Sequence, residues 1–299
     1  MKALHSHLLN LSFFGALVLF ATAFLSRPLQ ADATADPILA FAVLGDAEPK
    51  PLAEFPNMRA AVDQINALAD EQPLQFVAGI GDIPHKGTIL QYEAATPILK
   101  RLKLPFFTIM GNEEHGATVE RYLEYFAKWN EGKTDLRDTK YVLEFDELAL
   151  VFASADYGRD FNDSGIDWIL DRMAELRGKP ALLFVHGAQT GVYPEKPDKG
   201  ISHPRFAEVV PQRNLAAIIS GDLHMDMDRV EHSKKIGQVH YLHIPALERT
   251  KVPDKTNHTP MFRVFTINSD RWVTVDTYRV GGNEPLARHA YRFRLPPLQ

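Results

Sequence analysis

Cysteine is absent from all 299 residues. Disulfides, thiolate metal centres and a cysteine nucleophile are thereby excluded, and any metal has to be held by oxygen and imidazole. Three enzyme signatures are missing as well. No Gly-x-Gly-x-x-Gly fingerprint, no Gly-x-x-x-x-Gly-Lys-Ser/Thr loop and no Gly-x-Ser-x-Gly elbow occurs. Dinucleotide-dependent hydride transfer, P-loop chemistry and common serine hydrolysis are therefore unsupported. Basic blocks are lacking and the formal net charge is −5, so nucleic-acid coating has no electrostatic basis. No internal repeat, low-complexity tract or clear linker divides the chain. What remains, 45% hydrophobic and 24% charged residues, suffices to bury a substantial core.

One long apolar run stands at the start. Lys2 and a short polar stretch precede Leu8 to Leu25, and Ala31-Asp32-Ala33 and Ala33-Thr34-Ala35 follow. This three-part layout predicts a secretory signal peptide over residues 1–33, with an uncleaved membrane anchor as the alternative. Either way the folded part, residues 36–299, is expected to be exported to a periplasmic or extracellular space as a single domain.

Apolar runs then alternate with helical patterns. Strands are predicted at Ile38–Leu44, Leu74–Ile80 and Phe106–Met110. Helices are predicted at Met58–Asp70, with Ala60, Ala61, Ile65 and Leu68 inward, at Ile89–Leu102 and at Thr118–Trp129. This alternation argues for parallel strands covered by helices. A hairpin is expected from Tyr141–Phe145 and Ala149–Ala153, and a helix over Ile166–Leu176. Buried strands follow at Ala181–Val185 and Leu215–Ser220, then shorter ones at Val239–Ile244, Phe262–Ile267, Trp272–Tyr278 and Tyr291–Leu295.

Five of these strands end in a side chain able to bind metal. Gly45-Asp46-Ala47-Glu48, Gly81-Asp82, Gly111-Asn112-Glu113-Glu114-His115, His186-Gly187 and Gly221-Asp222-Leu223-His224 each follow an apolar run. One Gly-Asp merely marks a turn. Five in this order place their ligands along the carboxyl edge of a sheet, where open α/β folds bind ligands.

The ordered set resembles the calcineurin-like metallophosphoesterases, which include purple acid phosphatases and cyclic-nucleotide phosphodiesterases. Their pattern is Asp-x-His, Gly-Asp, Gly-Asn-His-Asp/Glu, a lone His, then Gly-His-x-His. The resemblance implies an α/β fold, a four-layer αββα sandwich of two mixed sheets with helices outside. It also implies two divalent metals and a hydroxide that attacks phosphorus. Carried over, Asp46, Glu48, Asp82 and His224 would hold the first metal, and Asp82, Asn112, His186 and Asp222 the second, with Asp82 bridging. Three positions depart from the pattern: Glu48, Glu113 and Asp222 stand where the family carries His. Such an oxygen-rich set favours Mn, Fe, Mg or Ca over Zn, and its extra charge makes the bound water less ready to ionise.

Glu113 takes the place of the leaving-group acid, with His115 as an alternative proton donor. His85 is a further candidate ligand. Met225-Asp226-Met227-Asp228 reads as a strand with its acids on one face. Tyr193, Lys196, Lys199 and Arg205 lie in the long loop after His186, where cations could meet phosphate. His203, His232, His240, His243, His258 and His289 carry no motif. The expected function is hydrolysis of a small phosphate monoester or diester, with metal or phospholigand binding without turnover as the alternative.

Overall fold

Strand β1 (Pro37–Leu44) builds two cores at once through its period of two. Leu39, Phe41 and Val43 face the space between two sheets, while Ala40, Ala42 and Leu44 face helices. The computed structural model describes residues 35–297, so the leader expected over residues 1–33 lies outside the described residues. No described helix is long and apolar enough to cross a membrane.

The first sheet takes β1, β2 (Leu74–Gly79) and β3 (Phe106–Thr108) in parallel. The hairpin of β10 (Met261–Asn268) and β11 (Trp272–Arg279) is added antiparallel, with β12 (Tyr291–Arg294) at the edge. The second sheet pairs β5 (Ala149–Ala153), β6 (Ala181–Phe184), β7 (Leu215–Ser220) and β9 (Val239–His243) in parallel. Antiparallel β4 (Lys140–Glu144) and β8 (Ser233–Ile236) close its edges. Helices α1 (Pro56–Glu71), α2 (Ile89–Leu99) and α3 (Val119–Trp129) supply residues to the outer core of the first sheet, and α4 (Asp163–Glu175) to that of the second. The result is the expected αββα sandwich of two mixed six-stranded sheets.

An aromatic stack joins the sheets. Phe41 stacks on Phe76 and Phe265 within the first sheet and tilts against Phe184 of the second, at 4.8, 5.2 and 6.1 Å between centroids. Phe184 in turn stacks on Phe152 at 4.4 Å. Two sequence expectations need correction. Ala60 is exposed, because the inward stripe of α1 runs through Met58, Ala61, Val62, Ile65 and Leu68, the set that 3.6 residues per turn selects. Met225 to Asp228 forms no strand but enters a turn, where Asp226 accepts from the Asp228 N–H at 2.9 Å and pairs with Arg229.

A buried acid, Glu114, and a half-buried one, Glu248, tie down the loops and the helix start at this side of the fold. Glu114 accepts the N–H groups of Asp82 (2.9 Å), Ile83 (2.8 Å) and Gly111 (2.8 Å), tying the loop after β2 to the loop after β3. Those donors favour its carboxylate form, while burial and neighbouring Asp82 push its pKa up to about 8. Glu248 does a related job for α1, which has no side-chain cap of its own. It accepts from the Met58 N–H (2.9 Å) and Asn57 Nδ2 (3.0 Å), satisfying a free helix-end donor.

Glu114→Ala would strand three buried N–H groups at about 1–3 kcal/mol each. We expect urea unfolding to show a loss on the order of 3 kcal/mol or more, whereas a loss below about 1 kcal/mol would mean that water replaces the carboxylate. Burial raises Glu248 from 4.5 to about 7. The folded state therefore holds that proton more tightly, and its contribution is complete below the unfolded value and lost as pH rises through 7. Measured against Glu248→Gln, native stability should fall between pH 4.5 and 7; a flat difference would exclude this linkage.

Candidate metal centre

Every strand of the two parallel sets sends its following loop to one shared edge. From β1 come Asp46 and Glu48, from β2 Asp82, from β3 Asn112, from β6 His186, and from β7 Asp222 and His224. Asp46, Glu48, Asp82, His186, Asp222 and His224 are all buried. The backbone is bent to present them. Asp46, Asp82, Asp222 and His224 have φ of 48°, 54°, 68° and 49°, a region that non-glycine residues enter at a cost and keep mainly where the structure demands it. Glycine allows the close approach. A Cβ at Gly111 would lie 2.3 Å from an Asp82 oxygen, and one at Gly221 would lie 2.4 Å from an Asp46 oxygen.

Hydrogen bonds set the direction of both imidazoles. His186 Nδ1 donates to the Ile80 carbonyl at 2.7 Å, which fixes the proton there and leaves Nε2 free. That Nε2 is buried without a hydrogen-bond partner, 3.4 Å from Asp82 Oδ2 and 3.7 Å from Asp222 Oδ1. His224 Nδ1 donates to the Arg249 carbonyl at 2.9 Å, and its Nε2 lies 3.0 Å from Glu48 Oε1 and 3.8 Å from Asp46 Oδ1. Ligand atoms of Asp46, Asp82 and His224 fall within 4.8 Å of one another.

Cations of the chain enter the same cluster, and sequence reading did not find them. Arg159 comes from the loop after β5, and Arg249 and Lys251 from the loop after β9. Arg159 Nε and Nη2 donate to the two oxygens of Asp222 at 2.8 and 2.9 Å, and Nη2 also bonds Asn112 Oδ1. Lys251 Nζ reaches Glu48 Oε1 at 3.1 Å and His224 Nε2 at 2.7 Å. Arg249 bonds both Glu48 oxygens. Lys50 Nζ bridges Glu48 (3.0 Å) and Glu113 (3.2 Å). Each of the three carboxylates standing in a histidine position therefore has its own cation.

The pKa shifts follow this arrangement. Burial pushes Asp46 up to about 6 against the pull of His224 and His186. Burial also pushes Glu48 upward, but His224, Arg249 and Lys251 outweigh it and hold the carboxyl far below its usual range. His186 is raised well above its usual value because Asp82, Asp222 and Asp46 overcome the penalty of burial.

The inner donors fit a divalent cation. Buried carboxylates at Asp46 and Asp82, an imidazole nitrogen of His186 with no partner, and a carbonyl-oriented His224 are the donor chemistry of an oxygen- and nitrogen-ligated ion. Glu48, Asn112, Asp222 and the Nε2 of His224 share theirs with side-chain cations. A second group, Glu48, His85 and Glu113, also brings its ligand atoms within 4.8 Å. His85 Nδ1 lies 2.7 Å from Glu113 Oε2, which also accepts the Lys86 N–H at 2.7 Å. His115 turns away, its Nε2 at 3.1 Å from the Ala155 carbonyl.

In the long loop, Lys196 and Lys199 line a cavity of about 180 Å³ together with Arg159, Asp222 and Lys251. Tyr193 is buried against His243, and Arg205 pairs with Asp163, Asp167 and Glu208, so neither lines that cavity. Four of the six histidines without motif support have local partners, whereas His203 and His243 each keep a buried Nδ1 without one. His240 bonds Tyr291, His258 bonds Thr250 and the Leu247 carbonyl, and His232 joins His289 to Ser233.

Among solved structures, the fold is similar to a purple acid phosphatase from yellow lupin seeds. Their identity is 11% and the TM-score 0.60, covering 86% of this chain and 53% of that one. The chain thus spans about half the length of the lupin protein. It is also similar to GAP50, the anchor in the inner membrane complex of Plasmodium, at 13% identity and a TM-score of 0.53, covering 86% and 88% of the two chains. Identities this low speak to fold alone. No curated protein matches the chain in sequence. Residues 39–226, well over half of the chain, match the calcineurin-like phosphoesterase family, and with every motif of that pattern gathered at one sheet edge, the chain belongs to this family.

Proposed function

We propose that the protein is an exported, metal-dependent phosphoesterase that hydrolyses a phosphate monoester or diester of a small molecule. The observation that carries this reading is the convergence of buried Asp46, Asp82 and His224, whose ligand atoms lie within 4.8 Å of one another, with His186 Nε2 aimed at Asp82 and Asp222 beside them. Acids packed this closely in the interior are costly unless positive charge joins them. Export rests on the leader pattern of residues 1–33.

A bound divalent ion supplies Lewis-acid charge stabilisation and an activated water. The chain's own groups would do the rest. Asp46, Asp82 and His224 would hold the ion, with His186 Nε2 beside Asp82, and Asp82 is oriented by the Glu113 N–H at 2.8 Å. Arg159, Lys196, Lys199 and Lys251 line the cavity and can neutralise phosphoryl oxygens as charge develops. Because Glu113 already accepts from Lys50, His85 and Lys86 N–H, the proton for the leaving group is assigned to the His85–Glu113 pair. His115 Nε2 is engaged by Ala155 and takes no part.

A second reading is phospholigand binding without turnover. It is favoured by the contacts of Arg159 and Lys251 with donors that a dinuclear centre would use.

The two readings separate on protein purified without chelator. Metal content is measured together with manganese-dependent hydrolysis of p-nitrophenyl phosphate and bis-p-nitrophenyl phosphate. Hydrolysis requires bound metal, and Asp82→Ala should lower the rate by about 100-fold or more. Bound phosphate with no turnover on either ester, at any metal supplied, would leave the binding reading standing.

A further inference from the structure

We infer that Arg159, Lys251 and Lys50 are tethered counter-cations that hold the metal-ligand sets in place and compete with divalent ions for them. This rests on the reading that the cluster takes a divalent ion. An ordinary salt bridge joins one cation to one acid. Here each cation spans two donors of a single ligand set. Arg159 spans Asp222 and Asn112, Lys251 spans Glu48 and His224, and Lys50 spans Glu48 and Glu113. A metal ion would join the same pairs.

The charge balance explains why they are needed. Asp46, Glu48, Asp82 and Asp222 are four buried carboxylates. Buried acids left uncompensated repel one another and lose their hydration. At three positions where the family carries neutral imidazole, this chain carries an acid: Glu48 and Asp222 of those four, and Glu113. Each is contacted by a cation from outside its own motif or from two residues further along the chain. The acids at those three positions are thus met by positive charge before any ion arrives.

The same side chains are able to leave. Arg159, Lys251 and Lys50 are 30%, 31% and 30% exposed, whereas the acids they hold on Glu48 and Asp222 are at most 5% exposed. They reach in from the solvent side on long stems, so withdrawal requires rotamer changes and no opening of the fold. Arg159 and Lys251 line the cavity that also contains Lys196 and Lys199, so a withdrawn side chain would face a phosphate group there.

The test is manganese titration of the native protein, Arg159→Gln, Lys251→Met and the double variant, by calorimetry and by thermal midpoint in chelator and in manganese. Removing either cation should tighten manganese binding by about tenfold or more, lower the midpoint in chelator and make manganese restore it. Arg159→Lys, which keeps the charge but loses the two-pronged contact with Asp222, should tighten manganese binding less than Arg159→Gln does. Variants that bind manganese no more tightly than a native protein that does bind it would overturn the inference and leave the metal reading intact. No binding by any form would overturn both. Binding by the variants alone would support the inference and favour ligand binding without turnover.

Should the neutral variants fail to fold even with manganese, the native protein still decides. Lys251 and Lys50 should be reductively methylated faster in manganese than in chelator. Equal or slower labelling of both would sink the proposal.

Discussion

Placing several carboxylates in the interior at one sheet edge is the constraint around which the molecule is arranged. Asp46, Glu48, Asp82 and Asp222 are buried at a single sheet edge, and acids so close together repel one another unless positive charge lies among them. Seven parallel strands meet this demand by dividing the work. Five of them, β1, β2, β3, β6 and β7, end in donors, while β5 and β9 end in Arg159 and in Arg249 and Lys251. The sandwich brings both kinds of ending to the same place because its parallel strands run toward one edge. Glu114 then locks two of the loops by accepting three backbone donors. The fold is therefore also a device for meeting charge with charge.

Much of this was legible in the sequence. Apolar runs of five to seven residues located β1, β2, β6 and β7 to within a residue or so, and the ligand after each run placed the functional edge. The family's fold followed from the order of those motifs. Strand β8 escaped notice because Ser233-Lys234-Lys235-Ile236 lies at a sheet edge, where solvent exposure removes the hydrophobic alternation that marks a strand. Ala60 was misplaced because small apolar residues are tolerated on either face of a helix. The acids of Met225–Asp228 were assigned to a strand on alternation alone, yet an Asp side chain that bonds its own backbone two residues on favours a turn.

The cations were missed for a different reason. Arg159 lies 63 residues from Asp222, and Lys251 lies 203 residues from Glu48. No periodicity or local motif links positions so far apart, and long flexible side chains obey no spacing rule. Two signals were nevertheless available. A carboxylate in place of imidazole calls for a counter-charge, and Gly158-Arg159-Asp160 follows a buried strand that otherwise had no functional ending. Reading the departures as a change in charge, as well as in ligand type, would have directed attention to the basic residues in the loops after β5 and β9.

The pairing of Arg159 with Asp222 also bears on how such a site changes over generations. Losing Arg159 alone strands an acid in the interior, and replacing Asp222 alone leaves a guanidinium without its fork of oxygens. Either single step crosses a disfavoured intermediate, so the two positions are expected to exchange together.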